Sequence, residues 1–411
     1  MPAPAPPPLM VPELGRPARL AFALAQLLHS AGAPVWRVEG GVERLGAALG
    51  AAMACMATPT GVFVQVGDHL EVLRVRPAGV DLARQAEVEG ALAQLEAGAL
   101  DPAAFEAALE AAALPRTPKP LRDLLASLAV AVGAAALFGG GWGELLGAGL
   151  AGMGVGALDL AAGRSPAVGR LLPLLAGLLA GALPRALAPA LPMNEQLVTL
   201  ASLIVVLPGL TFTVALAELA TGHLSAGTAR AAGAFVGLLQ LALGVGFAAG
   251  LTPALSPPTA SGLPLPPGSL AVALLMSGLG LALLFRARKA DAPVVVLAVA
   301  GAWLLISKLA PAVGPAGGAF LAAAALSLAG DLLHQATRRS PQLITVPGVL
   351  LLVPGAVGFS ALRDLLAQQT LSGVGAVFDM FALAASIVGG LLAAASLSAL
   401  GGGQTPGMMA R

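Results

Sequence analysis

The residues able to do chemistry are few in this 411-residue chain, and they gather where long apolar runs are interrupted. Val205 to Arg230 reads V-V-L-P-G-L-T-F-T-V-A-L-A-E-L-A-T-G-H-L-S-A-G-T-A-R. A helix broken at Pro208-Gly209 leaves backbone groups that only protein or a water-filled cavity can satisfy. The half-helix starting there offers free N–H groups and a positive dipole end, which suit a carboxylate. Thr211 and Thr213, in its first turn, can cap it, touch a ligand or bond back to their own helix. A second interruption holds two Pro-Gly pairs, Pro347-Gly348 and Pro354-Gly355. Carboxylates inside apolar runs are costly and usually face a cavity. Asp379, in V-F-D-M-F, is the most lipid-averse of them and the leading proton-carrier candidate, with polar glue between helices as the plain alternative. Glu218, Asp159 and His223 are further proton-coupling candidates, although each lies near a span end or in a loop where solvation or exposure would explain it. Gln240, near the centre of its run, joins the binding candidates.

The runs that position these residues define the class. The chain is 57% hydrophobic and 10% charged, against roughly 25% charged in soluble domains. It is expected to be a polytopic α-helical membrane protein. Twenty-two Lys and Arg against 21 Asp and Glu give no basic face for nucleic acid. The single cysteine, Cys55, excludes an intrachain disulfide and reads as a small buried hydrophobe. The four His are too scattered for a metal site, so neither metal nor cofactor is expected.

Residues 1–14 read as a disordered cytosolic tail and 15–116 as a cytosolic α+β domain. Its apolar runs are too short to span, and three of them between Met53 and Val75, separated by Pro59-Thr60-Gly61 and Gly67-Asp68, predict a meander. Asp81 and Asp101 are expected to cap two helices, the second with Pro102 at its first position. Arg37 and Glu39 read as members of internal salt bridges. Asp68, His69 and Glu71 cluster at a turn without a nucleophile at a recognisable spacing, so docking or gating is a better expectation than enzymatic activity.

Ten candidate spans follow, five in 117–250 and five in 269–402, separated by an uncharged Pro-rich extracytoplasmic linker at 251–268 and followed by a cytosolic tail at 403–411. Placing both termini in the cytosol puts Arg164, Arg170, Arg230, Arg286, Arg288, Lys289, Arg338 and Arg339 inside, leaving Arg185, Lys308 and Arg363 outside. Lys308 and Arg363 can snorkel from span ends. Five is odd, so the second set enters from the opposite side, which is the arithmetic of two inverted five-helix repeats. Aligning Pro208 with Pro347 places Gln240 over Asp379. Aligning Pro208 with Pro354 loses that match, and the sequence leaves both registers open. Broken spans in both halves suggest a secondary transporter.

Six short stretches add a resemblance. Gly32-Ala33-Pro34-Val35-Trp36-Arg37-Val38-Glu39 and Ala57-Thr58-Pro59-Thr60-Gly61 are followed by Leu207-Pro208-Gly209-Leu210-Thr211 and Glu218-Leu219-Ala220-Thr221-Gly222-His223-Leu224. With Gly227-Thr228-Ala229-Arg230, and with Val346-Pro347-Gly348 through Val353-Pro354-Gly355, the order resembles the threonine/serine exporter family. The resemblance implies a ten-span inner-membrane protein, possible homo-oligomers, and export of threonine and serine driven by the proton motive force. Some split relatives are implicated in dicarboxylate export, which keeps a succinate-like substrate as the alternative. A channel or membrane-anchored sensor is the reading from a different class.

Overall fold

The computed structural model describes residues 15–76, 78–252, 263–352 and 355–400. The tails expected at 1–14 and 403–411, most of the 251–268 linker, and Pro354 lie outside the described residues.

The N-terminal unit runs α1 (Arg16–Ser30), α2 (Val35–Leu49), β1 (Met53–Thr58), β2 (Gly61–Val66), β3 (His69–Arg74), α3 (Leu82–Glu96) and α4 (Pro102–Ala113). The strands form the expected antiparallel meander, β1-β2-β3, with Cys55 opposite Val64 and Val64 opposite Glu71. Alternation along β2 sends Val62 and Val64 into a core with Leu20, Leu24 and Leu28 of α1 and Val38 and Val42 of α2. Both caps form: Asp81 accepts from Arg84 N–H at 2.9 Å and Asp101 from Ala104 N–H at 2.7 Å. Such caps are worth about 1 kcal/mol each. Cys55 is half-buried rather than fully enclosed, and burial beside Glu39 and Glu43 pushes its thiol up to about 12, which makes it unreactive.

The rest is helical: α5 (Pro120–Leu137), α6 (Trp142–Ala162), α7 (Pro166–Leu187), α8 (Glu195–Leu203), α9 (Gly209–Ala220), α10 (Leu224–Leu251), α11 (Ser269–Leu284), α12 (Ala292–Thr337), α13 (Gln342–Leu352), α14 (Gly355–Leu366) and α15 (Thr370–Leu400). Among the described residues seven helical stretches are long and apolar enough to cross a membrane, and α9 and α11 are shorter apolar helices. The two spans expected at Ala292 to Ala310 and Val313 to Leu333 are two arms of α12, which bends at Gly314. That residue has φ 80° and ψ 164°, a conformation that leaves only glycine unstrained. The span expected at Leu197 to Leu216 is the broken pair α8 and α9.

The second interruption corrects the sequence reading in one respect. Pro347 lies inside α13, buried, with Gly348 packed against Leu326, and it does not end the helix. In the register that relates α10 to α15, 146 positions apart, the sequence position opposite Pro208 is Pro354, not Pro347. Gly209 and Gly355, the first residues of α9 and α14, are 146 positions apart. The same separation relates Gly227, Ala234, Leu238, Leu241, Ala242, Gly244 and Ala248, buried on α10, to Gly373, Met380, Ala384, Ile387, Val388, Gly390 and Ala394, buried on α15. A Cβ on Gly244 would collide with the carbonyl oxygen of Leu174, and one on Gly390 with that of Phe320, again 146 positions apart. In this register Gln240 no longer falls over Asp379 but over Ser386.

The first helices of the two sets, α5 and α11, cross in a reciprocal contact. A Cβ on Gly133 would meet Ser277 Oγ, and a Cβ on Gly280 would meet Val130. Gly133 pairs with Gly280 and Val130 with Ser277 at a common separation of 147, so the contact is its own counterpart after exchanging the halves. That is the signature of an isologous, two-fold interface.

Candidate functional site

Two places gather the chemistry: a contact between the N-terminal unit and the helical part, and a cavity between the helical halves.

The contact is built on the turn joining α9 to α10. Glu218, in the last turn of α9, is fully buried. Its Oε2 accepts from Arg230 Nε at 3.0 Å, and its Oε1 from the backbone N–H of Val35 at 3.4 Å. Val35 opens α2, where the first backbone N–H groups lack helical acceptors, so a carboxylate there also meets the positive end of the helix. His223 follows at the start of α10. Its Nε2 lies 3.1 Å from Glu39 Oε2, and its Nδ1 lies 3.0 Å from Thr221 Oγ1. The second oxygen of Glu39 accepts from Ala57 N–H at 2.8 Å. The Trp36 ring stands over His223, with centroids 6.5 Å apart, and Ala226 of α10 enters the core of the N-terminal unit. His29, 5% exposed, meets the carbonyl of Thr58 at 3.1 Å, and burial lowers its pKa, which keeps it neutral.

This geometry corrects three expectations. Glu218 is enclosed and paired, not solvated at an interface. His223 is held, not loose in a loop. Arg37 does pair inside its own unit, with Glu89 and Gln85, whereas Glu39 reaches out of it to His223.

A second anchor lies at α3. Leu82 donates its backbone N–H to the carbonyl of Phe285, just past α11, at 2.9 Å. Asp81 lies 3.8 Å from Arg286. Leu82 packs in one cluster with Leu281, Phe285, Val295 and Leu343. The N-terminal unit is thereby tied to the α9–α10 turn of one half and the α11–α12 turn of the other.

The cavity, about 230 Å³, lies at mid-length of α5 and α11. Its walls include Val130 with Ser277, Ala134 with Leu281, and Ile204 with Leu350, pairs separated by 146 or 147 positions like the reciprocal contact above. A cavity lined by such pairs lies on the relation between the halves. Ile204 and Leu207 bring the C-terminal end of α8 to it, Leu350 and Leu351 come from α13, and Gly355 and Ala356 from α14. Trp303 of α12 closes one side. The interrupted α8–α9 span and the segment carrying the second Pro-Gly pairs therefore border one chamber.

Of the binding candidates, Gly355 lines this cavity, and Pro208 follows its wall residue Leu207. Gly209 is buried at the start of α9, and Thr211 is exposed. Thr213 is buried and donates to the carbonyl of Gly209 at 3.1 Å, its own helix. Gln240 is half-buried on α10. Asp379 is exposed on α15, one turn before Leu383, which clusters with Leu210 beside the α8–α9 break and with Leu352 of α13. Asp159 is exposed on α6, within electrostatic reach of Asp123 and Arg286, and is remote in sequence and contacts from the cavity walls. Ser277 and Trp303 carried no signal in the sequence: one is a lone hydroxyl and the other a lone aromatic in apolar runs.

The buried ion pair yields a test. Arg230→Ala leaves a fully buried carboxylate with only the Val35 N–H, a loss of about 3 kcal/mol or more. Thermal unfolding in detergent is expected to show a clear drop for Arg230→Ala and recovery of most of it in Arg230→Met with Glu218→Leu.

Comparison with known proteins agrees with these elements. Residues 19–252 match the family described as putative threonine/serine exporter, and residues 270–397 match the one described as threonine/serine exporter, ThrE. The boundary between the two matches falls at the Pro-rich stretch that separates the helical halves. No curated protein and no solved structure matches significantly. With both matches in chain order and more than half of its residues in the first, the chain belongs to the threonine/serine exporter family.

Proposed function

We propose that this chain is a secondary transporter that moves threonine and serine out of the cytosol by alternating access between two inverted five-span halves. The observation that carries the substrate reading is the mixed polarity of the cavity wall. The end of α8 brings the negative end of a helix, and the start of α9 at Gly209, just past the wall residue Leu207, a positive one. A zwitterion presents an ammonium and a carboxylate to such a pair. A dicarboxylate would need two positive partners, and no Lys or Arg is among the wall residues. At about 230 Å³ the space is below the roughly 300–1,000 Å³ of sites for drug-sized ligands, which suits a single amino acid.

Inversion of the halves is supported by where the N-terminal unit attaches. It holds the turn after the fourth element of the first half and the turn after the first element of the second. In a five-span repeat those two turns lie on opposite sides of the membrane. Their meeting on one unit requires the halves to be oppositely oriented. The same side carries Arg230, Arg286, Arg288 and Arg339, which suits the cytosol of an inner membrane and puts both termini there.

The N-terminal unit acts as a brace. Rocking of the halves changes the distance between its two anchors, so one of them opens during each cycle. The His223 contact, being exchangeable and polar, is the one that opens. Asp379 carries the coupled proton, on the ground that it is a carboxylate in a long apolar helix, one turn from Leu383, which clusters with Leu210 beside the α8–α9 break.

In proteoliposomes, labelled threonine is expected to exchange against unlabelled serine but not against succinate. Exchange inhibited by succinate would replace the amino-acid reading with the dicarboxylate one, and passive flux without counterflow would indicate a channel. Asp379→Asn should retain exchange and lose transport driven by a pH gradient; unchanged driven transport removes Asp379 from the coupling step. Cross-linking Glu39→Cys to His223→Cys with a short cleavable reagent, in a Cys55→Ala background, should arrest exchange until the link is cut. Full exchange in the linked protein would show that this anchor stays closed throughout the cycle.

A further inference from the structure

We propose that Ser277 is the residue that selects for the substrate's side-chain hydroxyl. This rests on the amino-acid reading above and names the group that would tell threonine from valine.

The cavity walls come in counterpart pairs from the two halves, and the pairs are apolar on both sides except one. Ala134 faces Leu281, and Ile204 faces Leu350, but Val130 faces Ser277. The relation between the halves is broken in polarity at this position, and the break puts a hydroxyl in the chamber wall, against Gly133 where α5 and α11 cross. Ser277 is only 4% exposed, and its Oγ has no hydrogen-bond partner. A buried hydroxyl without a partner costs about 1–3 kcal/mol, so an apolar chamber gains nothing from keeping one there for packing. Its usual escape, a bond to the carbonyl one turn earlier, is not made, although serines elsewhere in the chain do bond locally, as Ser127 does to Asp123 and Ser396 to Leu392. Gly133 contributes the space: it stands against Ser277 Oγ, and any Cβ there would take the volume the hydroxyl occupies.

A hydroxyl is both donor and acceptor, and its match is another hydroxyl. The backbone of an amino acid is served by the helix ends at α8 and α9, which leaves the side chain for Ser277. Val130, Ala134 and Leu281 supply an apolar wall for the threonine methyl. Serine and threonine would satisfy the orphaned Oγ. Valine, isosteric with threonine, would leave it buried and unpaired, and alanine would do the same.

The experiment compares competitors in counterflow of labelled serine by the full-length protein. The wild type is expected to be inhibited by threonine about tenfold more effectively than by valine, the scale of one buried hydrogen bond. Ser277→Ala should bring the two inhibition constants to within about a factor of two, and Ser277→Thr, which keeps the hydroxyl, should retain the preference. If Ser277 only packs the α5–α11 crossing, Ser277→Ala will change threonine and valine alike, and an unchanged ratio overturns the proposal. A wild type that exchanges no amino acid at all would instead overturn the functional reading on which it rests. If Ser277→Ala fails to fold, Val130→Ser in the wild-type background provides the second arm: a second hydroxyl on the opposite wall should alter the threonine-to-valine ratio, and no change there overturns the proposal as well.

Discussion

The close crossing of α5 and α11 is the constraint on which the helical part depends. Gly133 and Gly280 let the two helices approach until each meets a side chain of the other, Ser277 or Val130. Without a hydrophobic drive between helices in lipid, close packing at small residues is what holds such an interface. Because the contact is reciprocal, it fixes the relation of the halves, and everything related by that exchange follows. The break before α9 and the start of α14 at Gly355 border one chamber, and α9 packs on α15 as α14 packs on α10. Phe212 against Phe381 and Gly358 against Leu238 are the side-chain forms of that cross-packing.

The chamber itself is nearly free of charged side chains, and this is physically economical. A Lys or Arg at mid-membrane carries a desolvation cost of several kcal/mol and, once bound to a carboxylate, releases it reluctantly. Helix ends carry only about half a charge each and are part of the backbone already in place. They can orient a zwitterion without holding it too tightly for release. The full charges are kept at the N-terminal unit, where Glu218, Arg230, Glu39 and His223 lie together and where charge can act on the docking of one body against another.

That docking also gives the motif residues of the N-terminal unit distinct roles. Val35 donates to Glu218, Trp36 covers His223, Arg37 ties α2 to α3, and Glu39 links β1 to the α9–α10 turn. Gly32, at φ 74°, lets the α1–α2 turn pass the backbone of Gly79 and Val80, next to the second anchor at Asp81 and Leu82. One short segment therefore serves both the fold of its own unit and the attachment to each helical half.

The sequence by itself determined the class, the meander and its capped helices, the interruption at Pro208-Gly209, and the family. Each of these follows from local pattern: apolar length, turn residues, capping aspartates, Pro-Gly pairs and motif order. It could not choose between Pro347 and Pro354 as the counterpart of Pro208, because that choice rests on which residues of α10 and α15 are buried in register, and Pro347 is tolerated inside a packed helix. It read Glu218 and His223 as near-surface groups, because span ends are usually wet, and gave Ser277 no weight, because a lone serine in an apolar run has no periodic or motif signal. Tertiary structure decided those points, since the partner of Glu218 at Val35 is 183 positions away and the pairing of Val130 with Ser277 exists only once α5 and α11 cross. Burial and partnership are properties of that crossing and docking, and no window along the chain contains them.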